Sequence, residues 1–260
     1  CEDLEVLGLG YFYLNDEKYV FKAIEIIDSW FVNKDTMMNP NLNYGQSVPG
    51  VNNGRITGII ETRQLMILLE GVLVLRNSPN WSSATDRGLI VWVNSYLNWM
   101  LNSDIGKNGK NLSNNIGTAY DNQVIYYSLF LGRNNFAKNY IESTLPTRLD
   151  AQFDKDGSQP HELSRTKSWD YSRANLEEWM RLVRLSENVD FDLFNFETRS
   201  GRSVRKGYEW LKEYGTGTKE WQNEQITHTN IERSFESIEI QVQRSRYNNS
   251  NNARSTVSNR

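Results

Sequence analysis

The sequence predicts an all-α fold of antiparallel helices. Apolar residues recur at helical spacing in segment after segment, and convincing strand alternation is scarce. The periodic segments are separated by short polar connections that alternate with longer ones.

From Glu17 to Phe31 the apolar positions are Val20, Ala23, Ile24, Ile27, Trp30 and Phe31, one face of a helix. Between Asn33 and Gly58 the stretch "NPNLNYGQSVPGVNNGR" is too rich in Asn, Gly and Pro to be helical throughout. A long irregular segment in a folded domain usually serves function, so Asn39 to Gly54 reads as a mobile lid. Helical spacing resumes from Ile59 to Leu75 through Met66, Leu69 and Val72, and from Asp86 to Leu101 through Leu89, Val93, Leu97 and Met100. Further helices are predicted over Asp121–Leu131, Asn134–Leu145, Arg173–Leu185 and Arg202–Tyr214. Asp86 and Asn134 fit helix N-termini, where a short polar side chain accepts an orphan backbone N–H. The alternation Ile238-Glu239-Ile240-Gln241-Val242 reads equally well as a strand or as the end of a helix. A single domain over residues 1–245 is expected, followed by a polar, disordered tail over 246–260, "RYNNSNNARSTVSNR".

Composition narrows the function. With 260 residues, 38% hydrophobic and 23% charged, the chain can bury a substantial core. A net charge of −3 with dispersed basic residues argues against a nucleic-acid partner. No apolar run approaches the roughly 18 residues of a membrane span, so no membrane partner is expected. Cys1 is the sole cysteine and cannot form an internal disulfide. The chain opens at Cys1 without Met, which reads as a removed leader or a fragment. N-x-Ser sequons stand at Asn80, Asn111 and Asn248. Together these suggest a secreted or extracytoplasmic protein. No metal-ligand cluster, phosphate loop or nucleophile elbow is present, so no metal or cofactor is expected. Eight Trp and 13 Tyr supply large core side chains and also flat faces on which sugar rings stack.

Four polar motifs stand in order: "MNPNLNYGQSVPGVNNGR", "GIIETR", "NNIGTAYDNQ" and "DGSQPHELSRTKSWDYSRANLE". In this arrangement the chain resembles the alginate lyase superfamily of uronate polysaccharide lyases over roughly residues 8 to 230. The resemblance implies an incomplete (α/α) toroid of antiparallel helix pairs, lacking the family's N-terminal part. It further implies β-elimination on an acidic polysaccharide, alginate or a related uronan.

A uronan lyase removes the C5 proton, α to a carboxylate, and expels the C4 oxygen. The carboxylate's charge has to be countered as the enolate-like state develops, and one or two groups have to move protons. The resemblance carries three catalytic roles to this sequence. Asn115 contacts the substrate carboxylate, Arg165 shares that task with a charged fork, and Tyr171 acts as base and acid. Where the family has a histidine directly after the asparagine, this chain has Ile116, which can neither neutralise nor take a proton. Ala119 replaces a usual bulky aromatic and suggests a widened or altered subsite.

Secondary candidates for substrate contact are Asn114, Arg55, Arg63, Tyr44 and Gln46, with His161 more easily read as a surface histidine. Tyr120 and Tyr126 read as core residues, and Glu162 as a structural carboxylate. The favoured function is a lyase. The alternatives are a degenerate member that binds acidic glycan without cleaving it, and a helical scaffold that binds protein.

Overall fold

The computed structural model describes residues 2–245; Cys1 and the stretch 246–260, read above as a tail, lie outside the described residues. Eleven α-helices make up most of it. In chain order they are α1 (Glu2–Leu14), α2 (Glu17–Ile27), α3 (Arg63–Leu75), α4 (Ser83–Asn102), α5 (Asp104–Lys110) and α6 (Asn115–Phe130). Then follow α7 (Asn134–Gln152), α8 (Pro160–Leu163), α9 (Ser168–Ser186), α10 (Val204–Gly215) and α11 (Ile231–Arg244). Among the described residues there is no β-strand, only isolated bridges at Val48–Asn52 and Lys167–Gln225. The ambiguous alternation near Ile238 belongs to α11, where Phe235, Ile238 and Val242 form the buried stripe. No described helix is long and apolar enough to cross a membrane.

Two compact units result. One runs through Lys110 and takes in Tyr126–Arg133; the other holds Asn111–Ile125 and the residues from Asn134 onward. In the first unit α1 packs on α3 and α2. The α1–α3 crossing is close because glycines meet there: a Cβ on Gly71 would stand 2.3 Å from the Leu4 carbonyl oxygen. The helix α2 does not stop at Ile27 but widens into one π-turn over Asp28–Val32, closed by Asn33 N–H donating to the Asp28 oxygen at 2.7 Å. In the second unit α9 is flanked by α8, α10 and α11, around a cluster of Trp169, Tyr208, Trp221 and Phe235.

Several helix limits differ from the sequence reading, each for a physical reason. The cap of α4 is Ser82, whose Oγ accepts from Thr85 N–H at 3.2 Å. Asp86 lies inside the helix, where it accepts from Arg76 and from the Trp81 indole. The helix α7 runs through Pro146 to Gln152 because Leu145, Leu149 and Gln152 continue its buried face past the missing proline donor. The helix α6 begins at Asn115, six residues before the apolar pattern, because its first turns bury polar groups instead: Thr118, Asp121, Asn122 and Gln123 are all fully enclosed.

Replacing Gly71 with Ala should lower stability by about 1–3 kcal/mol, the usual cost of overpacking a close-packed crossing. Urea unfolding of the variant and the parent chain measures it, and an unchanged midpoint would show that α1 and α3 separate at little cost.

Candidate active site

The start of α6 is built by hydrogen bonds that spend the two asparagines differently. Asn114 Oδ1 accepts from Ile116 N–H at 3.1 Å, and its carbonyl accepts from Gly117 N–H at 2.9 Å, an Asx cap on the helix. Asn115 gives its backbone N–H to Glu162 Oε1 at 2.8 Å and one Nδ2 hydrogen to Glu162 Oε2 at 3.2 Å. A carboxylate at a helix N-terminus meets unpaired N–H groups and the positive end of the dipole, which accounts for a glutamate only 1% exposed. Burial pushes the Glu162 carboxyl above its ordinary value. The bonds from Asn115 and the charges of Arg165 and His161 pull it partly back.

Glu162 sits on α8, and the chain closes a turn from there as Arg165 N–H donates to the Glu162 carbonyl at 3.1 Å. The Arg165 guanidinium lies over the Tyr171 ring, 4.0 Å from its centroid. Stacking uses the face of the guanidinium and spares its N–H rim, the part that grips a carboxylate. Tyr171 is in the first turn of α9 and half-buried, as are Arg165, Asn115 and Ile116. Glu162 thus touches Asn115 on one side and, within the same turn, leads to Arg165 and Tyr171 on the other.

Beneath these groups lies a buried polar network. Gln152 Nε2 donates to the Asn114 carbonyl at 2.8 Å and to Thr118 Oγ1 at 2.9 Å. Its Oε1 accepts from the Trp179 indole at 2.7 Å and from Asn175 Nδ2 at 3.1 Å. The second Asn175 hydrogen goes to Gln159 Oε1 at 2.8 Å, Asn175 Oδ1 accepts from Thr118, and Gln159 Nε2 donates to the Ser172 carbonyl at 3.0 Å. Beside it Arg148 and Asp121 form a buried ion pair at 2.8 Å, with Tyr140 donating to the same carboxylate. Arg148 Nη1 also holds the Leu112 carbonyl, just ahead of the asparagines.

The start of α9 is strapped by residues 224–229. Asp170 accepts from Gln225 Nε2 at 2.8 Å, Thr227 Oγ1 at 2.9 Å and Thr229 Oγ1 at 3.0 Å. Burial pushes the Asp170 carboxyl up, but these bonds and Arg173 outweigh burial, and the net direction is down.

Of the remaining candidates, His161 is the neighbour of Glu162 in the chain and the others belong to the other unit. His161 is exposed, and its carbonyl accepts from Ser164 Oγ. Arg55, Arg63, Tyr44 and Gln46 belong to the other unit. There Arg55 is exposed, Arg63 Nε donates to the Ile60 carbonyl, and Gln46, at φ 53°, accepts from Thr57 Oγ1 at 2.7 Å. That unit contains a cavity of about 670 Å³, lined by Trp30, Met38, Tyr44, Glu61, Trp92 and Tyr96 among others. Its charged lining groups are Asp3 and Glu61, so a uronate carboxylate would meet no cation in it. The segment Asn39–Gly54, read above as a lid, is tied near its start, where the Trp92 indole donates to the Met38 carbonyl just before it and the Trp99 indole to Asn43 Oδ1. Ala119 is 1% exposed and packs in the interior. Tyr120 and Tyr126 are core residues, as the sequence suggested.

The alginate lyase family model matches residues 2–221. This chain belongs to the alginate lyase family. Among solved structures, an alginate lyase from Bacteroides ovatus is 31% identical and superposes with a TM-score of 0.80, over 86% of this chain and 60% of that one. Two variants of alginate lyase A1-III, each in complex with a tetrasaccharide, superpose at 0.61 with 12% identity and show likeness of fold alone. The family fold, the (α/α) toroid, is therefore the fold class of this chain. The chain spans about 60% of the length of the Bacteroides ovatus protein. No match was found among curated proteins.

The sequence missed how Glu162 is used and missed the network of Thr118, Gln152, Gln159 and Asn175. Gln152, Gln159 and Asn175 sit among apolar residues or in loops, and only the pairing of amide with amide across helices distinguishes them from solvated polar residues.

Arg148→Met should strand the Asp121 charge in the interior and cost about 3–5 kcal/mol, which chemical denaturation measures. Asp170→Asn tests the strap through pH. A carboxyl whose value is lowered on folding contributes stability above its ordinary value of 3.8 and loses it as pH falls below. The gap in melting temperature between parent and variant should be full at neutral pH and narrow as pH falls below 3.8.

Proposed function

We propose that this chain cleaves a uronic-acid-containing polysaccharide, alginate or a related uronan, by β-elimination. The single observation behind it is the turn from Glu162 to Arg165, which brings Asn115, Arg165 and Tyr171 into one chain of contacts. Arg165 and the free Nδ2 hydrogen of Asn115 hold the uronate carboxylate and stabilise charge as it spreads from C5. Tyr171, through its phenolic oxygen, acts as the base that takes the C5 proton. The electron pair forms the C4–C5 double bond, the C4–O bond breaks, and the leaving oxygen takes the proton back from Tyr171. No metal takes part in this scheme. The ligand is an acidic glycan, and a polymeric substrate of this kind fits a secreted or extracytoplasmic location. The segment Asn39–Gly54 serves as a lid over bound polymer.

Ultraviolet absorbance of the unsaturated uronate, followed over a panel of uronans, tests the reading. Tyr171→Phe should abolish product formation with packing preserved, because it removes the proton acceptor. Arg165→Ala should weaken binding as well as rate, since the uronate is already charged before reaction. Ile116 lacks the histidine's carboxylate-stabilising group, so elimination should be slow, and Ile116→His should raise it by about 10²- to 10³-fold. Failure of both the parent chain and Ile116→His to cleave, with uronan binding that depends on Arg165 in calorimetry, would favour the binder that does not cleave.

A further inference from the structure

We propose that Glu162 is a positioning residue for the elimination, fixing the Asn115 side-chain amide so that its one uncommitted N–H meets the uronate carboxylate beside Arg165. This rests on the lyase reading above.

The geometry supports it from two directions. Asn115 is gripped at two points by one carboxylate, 2.8 Å from its backbone nitrogen and 3.2 Å from Nδ2. An asparagine held only at its backbone is free to rotate about its side chain and to exchange the positions of its amide oxygen and nitrogen. The bond to Glu162 Oε2 removes both freedoms, because a carboxylate accepts from the NH2 end and repels the oxygen end. One hydrogen of Nδ2 is consumed and one remains. The remaining donor has a fixed direction, which is what stabilisation of a developing charge requires.

The second direction is the placement of Glu162 itself. Gln159, just before α8, is held by Asn175 and by the Ser172 carbonyl, both on α9. Ser172 directly follows Tyr171. The frame that holds Glu162 is therefore the frame that holds Tyr171, and the Glu162 carbonyl closes the turn that presents Arg165. Moving the Glu162 carboxylate would move the amide relative to the guanidinium and the phenol. The buried carboxylate also has a consequence for charge. Before substrate binds, Glu162 and Arg165 balance one another; a uronate then adds one negative charge next to an existing one. The Asn115 amide stands between Glu162 and that charge, donating one hydrogen to each, so the same side chain separates two anions.

The test is a double-mutant cycle on kcat and KM for uronan cleavage, with Glu162→Gln, Asn115→Ala and the pair. Glu162→Gln should lower kcat on the order of 100-fold, the cost of a misplacement of ~1 Å, with KM changed far less. In the Asn115→Ala background the same substitution should cost almost nothing. Equal cost in both backgrounds would overturn the proposal, because Glu162 would then act on something other than Asn115. A second measurement needs no substrate. In the free protein one Asn115 side-chain amide proton, the one bound to Glu162, should be exchange-protected while its partner exchanges with solvent, and that protection should be lost in Glu162→Gln. Signals alike in both proteins would also overturn it. If the parent chain shows the fixed amide but neither cleaves nor binds any uronan, the lyase reading fails. Glu162 is then a helix-capping group without a role in catalysis.

Discussion

The side chain of Gln152 is the constraint on which the candidate site depends. Four hydrogen-bonding positions on one amide are matched by four partners, drawn from the loop before α6, from α6 itself and from two turns of α9. Each partner is buried or backed by buried groups, so an unmet bond costs its desolvation, about 1–3 kcal/mol, with no water to take its place. Such a network admits one arrangement of the chain and penalises its neighbours. Asn114 and Asn115 are adjacent, and Thr118 lies one turn on, so fixing the Asn114 carbonyl and the Thr118 hydroxyl fixes the helix entrance between them.

Upon that frame the charged groups are arranged in a sequence of alternating sign. The positive end of α6 meets the Glu162 carboxylate, and the Arg165 guanidinium follows within the same turn. The Tyr171 ring lies under that guanidinium. Apolar packing alone would not choose this order. A buried carboxylate without donors would stay protonated or move to solvent, whereas two N–H donors at a helix start make its burial tolerable. Arg165 can then be only half-buried, with its planar face covered by an aromatic ring and its donors still available to a ligand.

How much of this was legible in the sequence differed by the kind of force involved. Helices held by apolar stripes, such as α2 with Val20, Ala23 and Ile27, could be read directly, because water exclusion leaves a periodic mark. The beginning of α6 could not, since its buried face is Thr118, Asp121 and Asn122, residues that look solvated until their partners are known. Pro146 misled in the opposite sense, as burial on either side of it outweighed the local penalty. For the site, the sequence singled out Asn115, Arg165 and Tyr171; in the structure Asn115 bonds to Glu162, whose carbonyl closes the turn to Arg165, and Arg165 stacks on Tyr171. The use made of Glu162 was not legible, because a lone glutamate two residues before a serine-arginine-threonine run carries no sign that it will reach a helix start 47 positions away.

The same distinction explains how position 116, next to Asn115, can hold an isoleucine without disturbing the frame. Its backbone N–H is bound by Asn114 Oδ1, and the next residue's N–H by the Asn114 carbonyl. Neither bond involves the side chain at position 116. The residues that fix the path of the chain, Asn114, Thr118, Gln152 and Glu162, are separate from the side chain that points from residue 116. On the lyase reading proposed above, a histidine or an isoleucine at position 116 would change the proton and charge chemistry available while the frame remains. A change in the frame, at Gln152 or Glu162, would act the other way, leaving every reacting group present but none of them placed. The chemistry of this site and its architecture are thus carried by different side chains, and only the first set can vary one residue at a time.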